Sequence, residues 1–432
     1  MNRLVMAAVA LCALPLPATA QRVVISYSPV AFTPPVIQSW NLDTGRLEWQ
    51  RDGESLHRPV ITADGQFVVA GSGGLTPTFQ LVDARTGATT LVPVSFTPLV
   101  AHPRATAVFG LVPANTGAGV DVARIDAAGL AVYGGCAAGT ARDLDVSTDG
   151  RRLLVVCNSG ELVVLNALSG VEVGRVAAGG AGAVREVASN LDGTRAVVVR
   201  GADKTSGDIA RIDTASGAVL ATTVFPGATP TPTSGDCVSG ALTAASPDRT
   251  LVTIECSWVN PLPSATRLSY ATRVLNADTL TWQTDLGVNG TSIGLALAPA
   301  NDRAVVMSGN LPLGAIQILA LPSGAPALTV AGIVPFGLAA AFAPLAPVLS
   351  SSVSGSRVDL QWTLPVHSPA ATGYLLEIGT APGLSDLGRV PLGPDLALSV
   401  PGAPPGAYAV RLRAVNAVGP GAVSNELTVV VP

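Results

Sequence analysis

One turn recurs along this chain. "SWNLDTGRLEWQ" (39–50) places a short strand on each side of Asp43-Thr44-Gly45. The same turn returns in "LVDARTGATT" at Gly87, "RIDAAGLAV" at Gly129, "VLNALSGVEV" at Gly170 and "RIDTASGAVL" at Gly217. Weaker copies follow around Leu280 and Gly324, a period of about 42 residues stretched once before Leu280. Such a period marks supersecondary units, each burying its apolar face against the next. Glycine suits the reversal because a tight strand-to-strand turn needs a positive φ, which glycine adopts without a steric penalty.

A second signal precedes most of these turns: "ITADGQFVVAG", "VAHPRATAVFG", "VSTDGRRLLVV", "SNLDGTRAVVV", "ASPDRTLVTIE" and "APANDRAVVMS". Each is a turn followed by an apolar or alternating run of strand length. One unit is therefore four antiparallel strands, the blade of a β-propeller. With 48% apolar and 12% charged residues, 46 Gly and 34 Pro, the composition favours short strands and tight turns over long surface helices.

The two turns do not occur equally often, and the seam accounts for it. The segment "RVVISYSP" starts as a second strand, and "GIVPFGLAAAFAP" ends as a first strand with no second. Residues 335–343 are expected to pair with residues 22–28, closing a ring and removing free sheet edges. This predicts an all-β chain with a seven-bladed propeller over 21–343, eight blades being the rival count. The stretches "STDGRRLLVVCNSGELVVLNALSGVEVGRVAAG" (147–179) and "LDGTRAVVVRGADKTSGDIARIDTASGAVLATTVFPG" (191–227) resemble the YVTN-type propeller repeat. That resemblance implies the fold; propellers of this type serve as lactonases, haem-binding domains and plain binding surfaces.

The pattern changes after "FAPLAPVLSSS". Trp362 in "SRVDLQWTLP", the strand "ATGYLLEIGT", and Tyr408, Val410, Leu412 and Ala414 alternating on one face outline an immunoglobulin-like sandwich over 344–432. Together with "AVNAVGPGAVSNE" they resemble a fibronectin type III domain, which implies a core tryptophan at 362, a tyrosine corner at 408, and a spacer or adhesive role.

At the other end, Arg3, the apolar run 4–14 and Ala18-Thr19-Ala20 read as a secretory signal peptide over 1–20, cleaved after Ala20. A lipid anchor at Cys12 would need a small residue before it, where Leu11 stands. The most apolar later stretch, 334–349, is interrupted by Pro335, Gly337, Pro344 and Pro347, so no membrane span is expected. A net charge of −4 gives no electrostatic footprint for nucleic acid. The mature chain is expected to be a secreted or periplasmic monomer.

Four cysteines follow the leader, allowing three pairings. Cys157 and Cys256 each lie eight residues past the Asp of their turn (Asp149, Asp248), and Cys136 and Cys237 hold matching places before it. The repeat thus selects Cys136–Cys157 and Cys237–Cys256. No CxxC motif or nearby histidine supports a metal site.

Chemistry is sparse. The three histidines are His57, His102 and His367, and HExxH, GxSxG, Walker and CxxCH patterns are missing. "DLDVSTDG" (143–150) departs from the EF-hand spacing and is already a repeat turn. Neither cofactor nor metal is expected. Trp49 resembles the docking tryptophan of quinoprotein propellers, and Trp282 fits the role as well. Because other blades offer Val, Gly or Ala there, blade packing is the expected role.

Aligning the blades on their Asp turns puts His57-Arg58, Arg142-Asp143 and Arg185-Glu186 at the start of three innermost strands, at one mouth of the channel. Arg142 and Arg185 are bidentate donors for an anionic or sugar-like ligand; the same residues could instead pair among themselves as solvated strand ends. Trp258 and Tyr270, in the insertion 257–273, are candidate contacts for a protein or carbohydrate partner. A non-enzymatic binding or adhesion protein is the leading expectation. A lactonase-like hydrolase using Glu186, Asp143 or His57 is the alternative, and a quinone-linked propeller comes third.

Overall fold

The computed structural model describes residues 21–28, 34–41, 45–52, 56–72, 78–113, 119–136, 141–177, 184–190, 192–200, 208–223, 237–246, 249–259, 266–286, 291–298, 303–309, 314–321 and 323–432. The expected signal peptide lies outside them. Every regular element among them is a strand, and no helix is long and apolar enough to cross a membrane.

Five four-stranded antiparallel sheets follow one another along the chain, within 56–92, 97–133, 141–177, 184–223 and 237–285. Two further units share a seven-stranded sheet. Its long strand Ala325–Phe342 pairs through residues 325–333 with Gly314–Ala320 and through residues 334–342 with Gln21–Ser28. The N-terminal strand therefore lies between a strand from the far end of this region and its own neighbour Val36–Asn41. The innermost strand of each unit contacts that of the next, and the 291–297 strand contacts 325–342, which contacts 56–61. The all-β arrangement fits a propeller.

Period-two alternation explains how the units stack. In the strand Arg152–Cys157, Leu153, Val155 and Cys157 pack with Phe109, Val122 and Tyr133 of the preceding sheet. Leu154 and Val156 point the other way, against Val184, Val187 and Val198 of the following sheet. With both faces covered, such strands become continuous apolar runs. Outer strands meet solvent, which leaves Leu91, Val173 and Leu220 exposed.

The recurrent turns are built from local hydrogen bonds. Asp83 Oδ1 accepts from the Thr86 amide and hydroxyl, and Gly87 N donates to Asp83 O with φ at 71°. Asn166, Asp213 and Asn276 repeat the motif, the last ending in Leu280 at φ 53°. These turns also receive the preceding unit. The Trp49 indole N–H donates to Ala84 O at 2.8 Å, and its ring lies so close over Gly87 that a Cβ there would sit 2.9 Å from it. Tyr133 does the same one pair of units later, its hydroxyl donating to Ala167 O at 3.0 Å with its ring over Gly170. Trp49 is thus an inter-unit peg. Tyr133 is a second aromatic peg where the sequence suggested only small or aliphatic residues.

Cys136, just past the outer strand Gly129–Tyr133, is bonded to Cys157. Cys237 and Cys256 are direct cross-strand partners in backbone register, with side chains outside the described residues.

Residues 348–431 form two sheets, one of three strands and one of five. Trp362 and Tyr374 meet edge-on at 5.2 Å in the core between them, and the Tyr408 hydroxyl donates to Pro404 O at 3.0 Å. This part is docked rather than tethered at a distance. Val418 enters the cluster of Val24, Ile37, Leu56 and Val68, and Ala417 N donates to Asp64 O at 3.0 Å. Arg22 Nη1 donates to Ala417 O at 3.3 Å, and Asn416 Nδ2 to Phe342 O at 3.0 Å.

Candidate functional site

The innermost strands of the five four-stranded sheets each lie at an edge of their sheet. Each innermost strand also carries a break in register in its first half. The breaks fall between His57 and Val60, Pro98 and Val100, Ala141 and Asp143, Val184 and Glu186, Ser239 and Leu242, and Ser292 and Gly294. The strand pairing with Gln21–Ser28 breaks between Pro335 and Gly337. A bulge adds a residue on one strand and re-aims the side chains around it. The residues left without a cross-strand partner include Arg58, Arg142 and Arg185, so three of these bulges carry arginine at one end of the inner strands.

Arg58 and Arg142 are exposed, and Arg58 adopts a φ of 46°, uncommon for a residue with a Cβ. Both guanidinium groups lie close enough to Asp143 to draw its pKa down. Glu186 is half-buried in the strand Val184–Ser189. His57 and Arg185 occupy strands Leu56–Ile61 and Val184–Ser189, but their side chains lie outside the described residues. So do those of Trp258 and Tyr270, whose strands Arg249–Val259 and Thr266–Asn276 pair in unbroken register from Arg249↔Asn276 to Val259↔Thr266. The insertion is therefore largely a lengthened hairpin.

Sequence reasoning missed Asp145. In "RDLDV" the two carboxylates are spaced i, i+2 and share one face of the strand Ala141–Val146. Asp143 Oδ2 accepts from Val187 N at 2.9 Å and Asp145 Oδ2 from Ser189 N at 2.6 Å. Side chains of one unit thereby satisfy edge N–H groups of the next. Burial pushes Asp143 up to about 6, against the pull of the Val187 and Leu144 amides and of Arg58 and Arg142. Burial pushes Asp145 up to about 7, and the neighbouring Asp143 adds to the rise. The only sequence signal for Asp145 was its spacing from Asp143.

His102, also unassigned from sequence, is buried between two turns. Its Nδ1 accepts from the amides of Arg104 and Ala105, which leaves Nε2 to donate to Gly150 O at 2.9 Å. Among the described residues, no group of three His, Cys, Asp or Glu is placed to hold a metal.

The two ends of the inner strands differ. The end at Asp64, Gly65, His102 and Phe342 is met by the C-terminal sandwich through Asn416–Val418, and Arg104 Nη2 donates to Val366 O at 2.7 Å. The other end carries the exposed Arg58 and Arg142.

No family model and no curated protein matches this chain. Among solved structures, it is similar to a 6-phosphogluconolactonase candidate from Bacteroides uniformis, at 13% identity over 75% of this chain and 99% of the other, with a TM-score of 0.49. It is also similar to the Cps50 (Swd1) β-propeller domain of Myceliophteria thermophila, at 10% identity over 69% and 89%, TM-score 0.45. The Neurospora crassa Pan2 WD40 domain matches at 11% identity over 71% and 86%, TM-score 0.44. Similarity at this level assigns neither ligand nor activity.

Proposed function

We propose that the chain is an exported, non-enzymatic binding protein: a seven-bladed, YVTN-type β-propeller backed by a fibronectin type III domain. On this reading it takes an anionic or sugar-like ligand, or a partner presenting one, at the mouth carrying Arg58, Arg142 and Arg185. The observation that carries it is the pair of exposed guanidinium groups, Arg58 and Arg142, beside the half-buried Asp143, at the inner-strand ends opposite those met by the sandwich. Guanidinium groups recognise planar oxyanions through paired hydrogen bonds. The Cys136–Cys157 bond supports an oxidising compartment, and the Tyr408–Pro404 hydrogen bond and buried Trp362 support the fibronectin type III assignment.

The test is a thermal-melt panel of acidic sugars, neutral sugars and lactones on the mature protein. An acidic sugar should raise the melting temperature of wild type by mass action, and the Arg58→Ala/Arg142→Ala/Arg185→Ala variant should not respond. Equal shifts in both proteins, or none in either, would count against the site.

One observation favours the second reading, a lactonase-like hydrolase. A carboxyl held at about 6 suits general acid–base work near neutrality. Turnover of a lactone by wild type that is abolished in Asp143→Asn would establish it; no turnover by wild type would leave the binding reading in place.

A further inference from the structure

The strand bearing Asp143 and Asp145 runs from the arginine mouth to a cavity of about 230 Å³ at the covered end. Its floor is formed by the ends of inner strands and the turns after them, and its lid by His367, Ser368 and Pro369 of the C-terminal sandwich. Val100, Val146, Leu297 and Phe342 make the walls largely apolar. Most polar side chains on these walls are already committed. Thr62 Oγ1 donates to Asp64, and Ser368 Oγ accepts from Leu345 N while donating to Pro369 O. The His102 ring is fixed at both nitrogens. Asp145 is held by the Ser189 and Val146 amides, and among the described residues it is the one acidic residue lining the cavity.

We infer that this interdomain cavity is a binding site for a compact organic ammonium ion, with Asp145 as its counter-charge. A largely apolar cleft with a single acidic residue favours a ligand that brings an opposite charge and an apolar body. The charge neutralises a carboxylate whose burial is otherwise costly, and the body displaces water from apolar walls. A volume below the roughly 300–1,000 Å³ of drug-sized sites restricts the ligand to small amines. The site spans both parts of the chain, so the sandwich completes it by supplying the lid.

The experiment is isothermal titration of the full mature chain with butylammonium chloride, with ammonium chloride as the control for charge alone. Wild type should bind butylammonium saturably and ammonium at least tenfold more weakly. Asp145→Asn keeps an oxygen acceptor for Ser189 N but removes the charge, and should weaken butylammonium binding at least tenfold. Ala101→Leu, which fills the cavity from the end of the strand Thr97–Ala101, should weaken it without touching the acid. Absence of saturable binding to wild type would mean that the cavity holds only water and would overturn the inference. Undiminished binding to Asp145→Asn, or to Ala101→Leu, would overturn it equally. Neither variant replaces an arginine of the mouth and the probe is a cation, so this result and the test of the proposed function can fail separately.

Discussion

Asp145→Asn should stabilise the protein above neutral pH and leave it nearly unchanged in acid. Burial raises the Asp145 carboxyl from an ordinary aspartate value of 3.8 to about 7. Between those values the unfolded chain is ionised while the folded chain keeps its proton. Stability is therefore greatest below about pH 4 and declines as pH rises through 7, as far as this group decides it. A rise of about three pKa units corresponds to a loss on the order of 4 kcal/mol once the group is ionised in both states. Asparagine keeps an oxygen for Ser189 N, which donates to Asp145 Oδ2 at 2.6 Å, and carries no charge to bury. Urea unfolding of wild type and variant at pH 3.5, 6 and 8 reads it directly. The midpoints should nearly coincide at pH 3.5 and separate by pH 8, with the variant higher. A variant less stable at pH 8, or a gap independent of pH, would refute the argument that the carboxylate's burial is only partly compensated by the Ser189 and Val146 amides.

His102 contributes in the opposite sense: burial lowers its pKa, so its share of stability is present above about 6.5 and lost as pH falls below it. His102→Phe should flatten that acid limb in a melting-temperature profile, and should cost about 1–3 kcal/mol because the Arg104 and Ala105 amides lose their acceptor. Opening the Cys136–Cys157 loop by Cys136→Ser/Cys157→Ser should cost about 3 kcal/mol in urea, and reductant should then make little further difference at this loop. Trp49→Ala should cost about 2–4 kcal/mol, from lost packing on Gly87 and a lost bond to Ala84 O, while Tyr133→Phe should cost about 1 kcal/mol for its hydroxyl alone. Val418→Asp places a carboxylate among Val24, Ile37 and Leu56 and should release the sandwich, seen as a larger radius of gyration in solution scattering and faster proteolysis at residues 343–347.

Most of what could be read from the chain was local. The Asp83–Gly87 turn and its copies depend on a side-chain acceptor three residues before a turn amide and on a positive φ one residue later, and both are written in a few neighbouring letters. The all-β class followed, as did the Cys136–Cys157 pairing, because the repeat aligned the two cysteines against the same turn. Tyr133 escaped notice because a peg is defined by the glycine of the next unit beneath it, not by its own neighbours. Asp145 escaped because its partner, Ser189 N, belongs to another sheet's edge.

The C-terminal part shows the division most clearly. From sequence, "AVNAVGPGAVSNE" contributed only to the resemblance to a spacer or adhesive domain. In the fold, Val418 completes an apolar cluster of the first two units, and Ala417 meets Arg22 across a separation of 395 residues. By itself, the sequence determined strands, turns and their period, since φ preferences and side-chain-to-backbone bonds act over a few residues. Only the tertiary structure decided which edge amide each carboxylate serves and which end of the inner strands the last domain meets. Those pairings depend on surfaces that become neighbours only after the sheets have stacked.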